Sequence, residues 1–123
     1  SQPKGQEAVI FRGAVKADQD TVLLYASVAQ PTLPEAMTIG GIALRLLDPA
    51  DNIETPDRDL TLQLFIGDLA SPRARIRLQD LLRQGQRPLH LQRIAGQSIE
   101  LRLVDPAGWL QSHVLAIEVV LHW

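Results

Sequence analysis

The chain has three histidines, His90, His113 and His122, and they are the first place to look for chemistry. A zinc centre needs three or four convergent N, S or O ligands. No two of these histidines have the spacing of a helical metal-ligand pair. His90 lies between Leu89 and Leu91, so on a strand it faces away from both, the position of an exposed side chain. Ser27, Ser71, Ser98 and Ser112 lack the Gly-x-Ser-x-Gly setting of a nucleophile elbow. Ser112 and His113 are adjacent, and adjacent strand residues point to opposite faces, which argues against a catalytic dyad. With no cysteine in the chain, there is no thiol nucleophile, thiolate metal site or disulfide. Gly40-Gly41 is not followed by Lys-Ser/Thr and opens no helix, so it is not a phosphate-binding loop.

Two features suggest ligands more than catalysis. Asp48, Asp51, Glu54, Asp57 and Asp59 form the densest acidic stretch, and carboxylates on a loop can hold calcium. Their spacing departs from the EF-hand pattern and there is no glycine at its turn position, so a solvated loop is the expectation. Trp109, beside an Asp-Pro turn, is a candidate ligand contact of the kind that stacks on a sugar. With aromatics at 4% of the chain, a carbohydrate-binding module would have few rings to work with. No residue is assigned as catalytic, cofactor-binding or metal-ligating, no cofactor is expected, and the chain is not read as an enzyme.

The arginines are more informative. There are ten, against two lysines. Seven of them, Arg73, Arg75, Arg77, Arg83, Arg87, Arg93 and Arg102, fall between residues 73 and 102, where only Asp80 and Glu100 oppose them. Residues 1–72 carry a formal net charge of −5 and residues 73–102 one of +5. Arg makes planar, bidentate contacts and is enriched at protein interfaces. Charged side chains also guard the edges of sheets against aggregation. The seven arginines are therefore candidate interface residues whose bland alternative is a solvated strand edge. Nucleic acid is disfavoured by the acidic remainder and the scarcity of stacking aromatics.

Those side chains need a scaffold, and the patterning describes a mostly β one. At 123 residues, 46% of them hydrophobic, the chain suits one domain with an aliphatic core. Residues 1–7 read as a flexible arm and 8–123 as a single domain. Glu7–Lys16 and Thr21–Gln30 read as strands joined in a hairpin through Asp18-Gln19-Asp20. Met37–Leu47 reads as a strand whose paired glycines mark a bulge or close backbone approach. Asp48-Pro49-Ala50-Asp51 is turn chemistry. Leu60, Leu62, Leu64 and Ile66 alternate with Thr61, Gln63 and Phe65 as a half-buried strand does. Residues 71–87 read as an extended segment entering one short helical turn near 79–84. Leu89 and Leu91, then Ser98–Val104 and His113–His122, complete about eight strands. This spacing predicts an antiparallel β-sandwich, jelly-roll-like, with at most one short helix.

A near-repeat supports that architecture. Ile-Ala-Leu-Arg-Leu-Leu-Asp-Pro-Ala at 42–50 recurs as Ile-Glu-Leu-Arg-Leu-Val-Asp-Pro-Ala at 99–107, identical at seven of nine positions with an offset of 57. The same offset carries Leu60, Leu62 and Leu64 onto Ile117, Val119 and Leu121. Either Leu-rich strands and Asp-Pro turns have converged, or two equivalent hairpins are related by pseudo-symmetry.

No apolar run is long enough for a membrane helix, and Ser-Gln-Pro-Lys-Gly-Gln has no signal-peptide pattern. A Cys-free, Arg-rich, compact β domain with a loose arm has the general character of an oligomeric shell component. Capsid decoration (cement) proteins of tailed bacteriophages are of that kind. The expectation is a non-enzymatic structural protein of the virion. Its partners would be itself, as a homo-oligomer such as a trimer, and a larger protein lattice. A carbohydrate- or protein-binding module using Trp109 is the alternative. An enzyme assembled from residues distant in sequence comes third.

Overall fold

The computed structural model describes residues 5–14, 20–30, 33–56, 59–105 and 116–123. The alternating Leu and Ile positions become eight strands: β1 (Glu7–Ala14), β2 (Thr21–Ala26), β3 (Met37–Leu47), β4 (Thr61–Ile66), β5 (Ala74–Arg77), β6 (Arg87–Arg93), β7 (Ile99–Val104) and β8 (Ala116–His122). A helix, α1 (Leu78–Gln84), lies between β5 and β6. One antiparallel sheet has the order β1-β8-β3-β6 and the other β2-β7-β4-β5. Successive strands cross to the other sheet, except that β4 and β5 pair directly. This is the strand order of a jelly roll, so the expected sandwich is the fold.

The core is aliphatic. Leu44, Leu46, Leu62, Leu64, Leu101, Leu103, Ile117, Val119 and Leu121 are all buried, and Tyr25 is the one tyrosine among them. Ile42, Leu44 and Leu46 face Leu121, Val119 and Ile117 across β3 and β8. Leu62, Leu64 and Ile66 face Leu103, Leu101 and Ile99 across β4 and β7. At about 1.5–3 kcal/mol for each fully buried Leu or Ile, this interior is the main driving force for folding.

The two halves are related by a pseudo-two-fold that exchanges the sheets. Moving each strand four places along the chain turns β1-β8-β3-β6 into β5-β4-β7-β2, the other sheet read backwards. The near-repeat on β3 and β7 thus occupies equivalent central strands in opposite sheets. The expected hairpins do not form. Each strand–turn–strand unit spans the two sheets, and β3 pairs with β8 while β4 pairs with β7. Likewise β1 and β2 are not a hairpin: β1 pairs with β8 and β2 with β7. Turn chemistry reverses the chain without specifying which sheet receives it.

The second strands also correspond at a different spacing. Leu46 and Leu103 are equivalent at 57, and they face Ile117 and Leu62, which are 55 apart. Thirteen residues separate β3 from β4 and eleven separate β7 from β8, which accounts for the shift. A two-residue slip keeps every Leu on its face, so alternation alone could not detect it.

Local chemistry explains the remaining elements. The β3 register shifts between Ile39 and Gly41, as the paired glycines suggested. A Cβ on Gly41 would lie 2.5 Å from the Gln86 amide nitrogen, which would have to swing aside, and 3.3 Å from the Arg87 carbonyl oxygen, so the backbone passes closely here. Asp48 caps its own turn, its Oδ1 accepting from the N–H groups of Ala50 and Asn52, both at 2.9 Å. Pro88 is tolerated because β6 is an edge strand, bonded only to β3. Helix α1 buries Leu78 and Leu81 and stops at Gly85, at φ 79°. Of the expected arm, Gln6 exchanges backbone hydrogen bonds with Trp123 and Glu7 lies in β1. Residues 1–4 lie outside the described residues.

Candidate functional site

The arginine-rich segment folds into β5, α1 and β6, which form one flank of the sandwich. β5 is the edge of one sheet, β6 is the edge of the other, and α1 joins them. Arg73, Arg75 and Arg77 are exposed and alternate with Ala74 and Ile76, which point inward. Strand geometry spaces them at about 6.7 Å on one face. Arg77 pairs with Asp59 at 2.9 Å, an exposed bond that raises the guanidinium pKa further. Arg83 pairs with Asp80 one helical turn away, at 2.8 Å. The guanidinia of Arg73, Arg75 and Arg87 have no hydrogen bond or ion pair among the described residues.

The other two candidate arginines are engaged internally. Arg93 is buried, its Nε donating to the Gln97 carbonyl and Nη1 to the Pro34 carbonyl. Arg102 donates through Nε and Nη2 to Glu100 Oε2, at 2.9 and 2.6 Å, and through Nη2 to the Leu69 carbonyl. Its guanidinium also lies over the Phe65 ring, 4.0 Å from the centroid. The contact helps to cover Phe65, which is only 2% exposed on the outer face of its sheet, where alternation placed it toward solvent.

The pseudo-two-fold brings out a charged row on each outer face. On the first sheet Arg12, Glu118 and Arg45 sit side by side on β1, β8 and β3. Glu118 Oε2 meets Arg12 at 2.6 Å and Oε1 meets Arg45 at 2.7 Å. The hydrogen bond from Arg45 lowers the Glu118 pKa, desolvation opposes it, and Arg12 adds to the lowering. The equivalent row on the second sheet is Arg75, Gln63 and Arg102, on β5, β4 and β7. Gln63 stands where Glu118 stands. The nearby carboxylate, Glu100, is two residues along β7 at the position equivalent to Ala43, and it takes Arg102 alone. Among the described residues Arg75 is left without a counter-charge.

The other sequence candidates separate. His90 is exposed on β6. His122 Nδ1 lies 3.2 Å from Glu7 Oε2, at the far end of β8. Trp109, Ser112 and His113 fall outside the described residues, as does Asp57. Asp48 is occupied by its turn, where the Asn52 backbone hydrogen bond leads in lowering its pKa. Among the described residues no three His, Asp or Glu side chains converge as a metal site requires. No described helix is long and apolar enough to cross a membrane. Sequence reasoning missed Glu118 and Gln63. Their only signal was position opposite Arg45 and Arg102, which becomes legible once the register is known.

No protein-family model, curated protein or solved structure matches the chain.

Proposed function

We propose that the protein is a non-enzymatic structural component that assembles with itself and with a larger protein lattice. The arginine flank is the surface that makes the contact. The observation that carries this reading is the set of uncompensated guanidinia on Arg73, Arg75 and Arg87 along β5 and β6. Arg73 and Arg75 are exposed and hydrated in the free chain, and at an interface a carboxylate has to replace that water. The acidic stretch Asp48–Asp59 of a neighbouring copy supplies carboxylates of the right sign. Such a head-to-tail contact closes into a ring when the rotation allows, and a trimer is the expected size. Complementary charge of this kind sets register and association rate more than affinity.

A virion setting, as a decoration protein on a tailed-phage capsid, is consistent with the fold. Jelly rolls also serve as lectin domains, so the fold supports the class without choosing within it. Sedimentation velocity across a salt series tests the assembly. The expected result is an oligomer at low salt that dissociates as screening increases. A monomer at every salt and protein concentration contradicts the reading.

A further inference from the structure

Arg93 carries a charge that the fold buries and does not neutralise. It is 7% exposed, and its two bonded nitrogens meet neutral carbonyls, Gln97 O at 3.0 Å and Pro34 O at 2.8 Å. No carboxylate pairs with it among the described residues. By contrast, the buried Glu118 meets two guanidinia. A guanidinium stays protonated in proteins, so Arg93 cannot escape by losing its proton. Leaving such a charge uncompensated away from water is costly.

The same residue lines a cleft of about 400 Å³ between the β2–β3 and β6–β7 connections. That volume lies within the range of small-molecule sites. Ser27 and Ser98 contribute to its wall. Ser27 Oγ accepts the Ile99 N–H at 2.8 Å, which leaves its own proton free to donate. Val28 and Leu33 form an apolar side. Glu35 stands on the exposed rim, its Oε2 accepting from the Gly96 N–H at 3.3 Å.

We infer that this cleft binds a small hydroxylated monocarboxylate, the chemistry of a sugar acid. The planar guanidinium matches a carboxylate, and the serine hydroxyl donates alongside it. Glu35 accepts from ligand hydroxyls and repels a second negative charge, which selects against a phosphate dianion. The site rests on Arg93 and its cleft and is independent of the assembly flank.

Titration of the intact protein with D-glucuronate, D-glucose and inorganic phosphate, followed by amide NMR shifts, tests it. Glucuronate is expected to produce saturable shifts at Ile94, Gly96, Gln97 and Ile99. Glucose, which lacks the charge-assisted hydrogen bond to Arg93, and phosphate, whose second charge meets Glu35, should each bind at least about tenfold more weakly. Arg93→Lys, which keeps the charge and removes the fork, should weaken glucuronate by a similar factor. Glu35→Gln alters an exposed side chain and should narrow the gap between phosphate and glucuronate. The inference is overturned if glucuronate gives no saturable shift at millimolar concentrations. It is equally overturned if glucose or phosphate matches glucuronate in the unaltered protein, or if Glu35→Gln leaves the phosphate gap unchanged.

Discussion

The outer faces of the two sheets present the same three seats and fill them differently. On one, Glu118 sits between Arg12 and Arg45 and bonds both. On the other, Gln63 sits between Arg75 and Arg102, and Glu100 has taken Arg102 to itself. Counting Glu100 beside the second row, each row has two arginines and one glutamate. In the first the carboxylate is central and the row is closed within the chain. In the second it is displaced along β7, and the arginine on the edge strand is open to a partner. A change of position, with no change in charge, separates a self-contained surface from one suited to docking.

The largest effects lie in the core. Leu44 and Leu101 are equivalent under the pseudo-two-fold, and both are buried. Leu44→Ala and Leu101→Ala should each cost about 2–5 kcal/mol, measured by chemical denaturation. If the halves are equivalent in packing, the two costs should be similar. A severe loss at one site and almost none at the other would show that the symmetry stops at topology.

The charged rows come next. Glu118→Ala removes the shared acceptor and should cost about 1–3 kcal/mol, since Glu118 is buried even though its partners are exposed. Gln63→Glu restores on the second sheet the arrangement of the first. It should stabilise the monomer by about 0.5–1 kcal/mol through Arg75. On the assembly reading it should also weaken association, because the partner's carboxylate is no longer needed. A Gln63→Glu variant that leaves both stability and association unchanged would remove the significance of the seat.

The smallest effect is in pH. Glu118 is held below the ordinary carboxyl range in the folded protein. Its contribution is therefore fully present above the unfolded value, about 4.3, and is lost as pH falls through the lower folded value. Acid should destabilise the parent protein more than Glu118→Gln over that window. Parallel stability curves for the two would contradict the assignment.

Much of the fold was legible in the sequence. Alternating leucines located the strands, Gly40-Gly41 located a bulge, and Asp48-Pro49 located a turn. These signals are local. Sheet membership is not, because reversal at a turn is compatible with pairing or with crossing over, and β1–β2 crosses over. The functional row was hidden for the same reason. Arg45 and Glu118 are 73 residues apart and meet only through the β3–β8 register. Arg93 and Arg102 belonged to one charge run with Arg73 and Arg75, and composition could not show that Arg93 is buried or that Glu100 holds Arg102 on the outer face. Phe65 lay on the polar side of its strand, yet it is buried, with the Arg102 guanidinium over its ring.

Sedimentation equilibrium on two charge reversals, Arg75→Glu and Arg12→Glu, separates the open row from the closed one. The two arginines occupy equivalent seats on the edge strands β5 and β1. The open row should need its arginine to assemble, so Arg75→Glu should dissociate the oligomer. Arg12 is satisfied within the chain by Glu118, so Arg12→Glu should lower stability and leave the assembly mass unchanged. A monomeric parent protein, or two variants that assemble alike, would contradict the account.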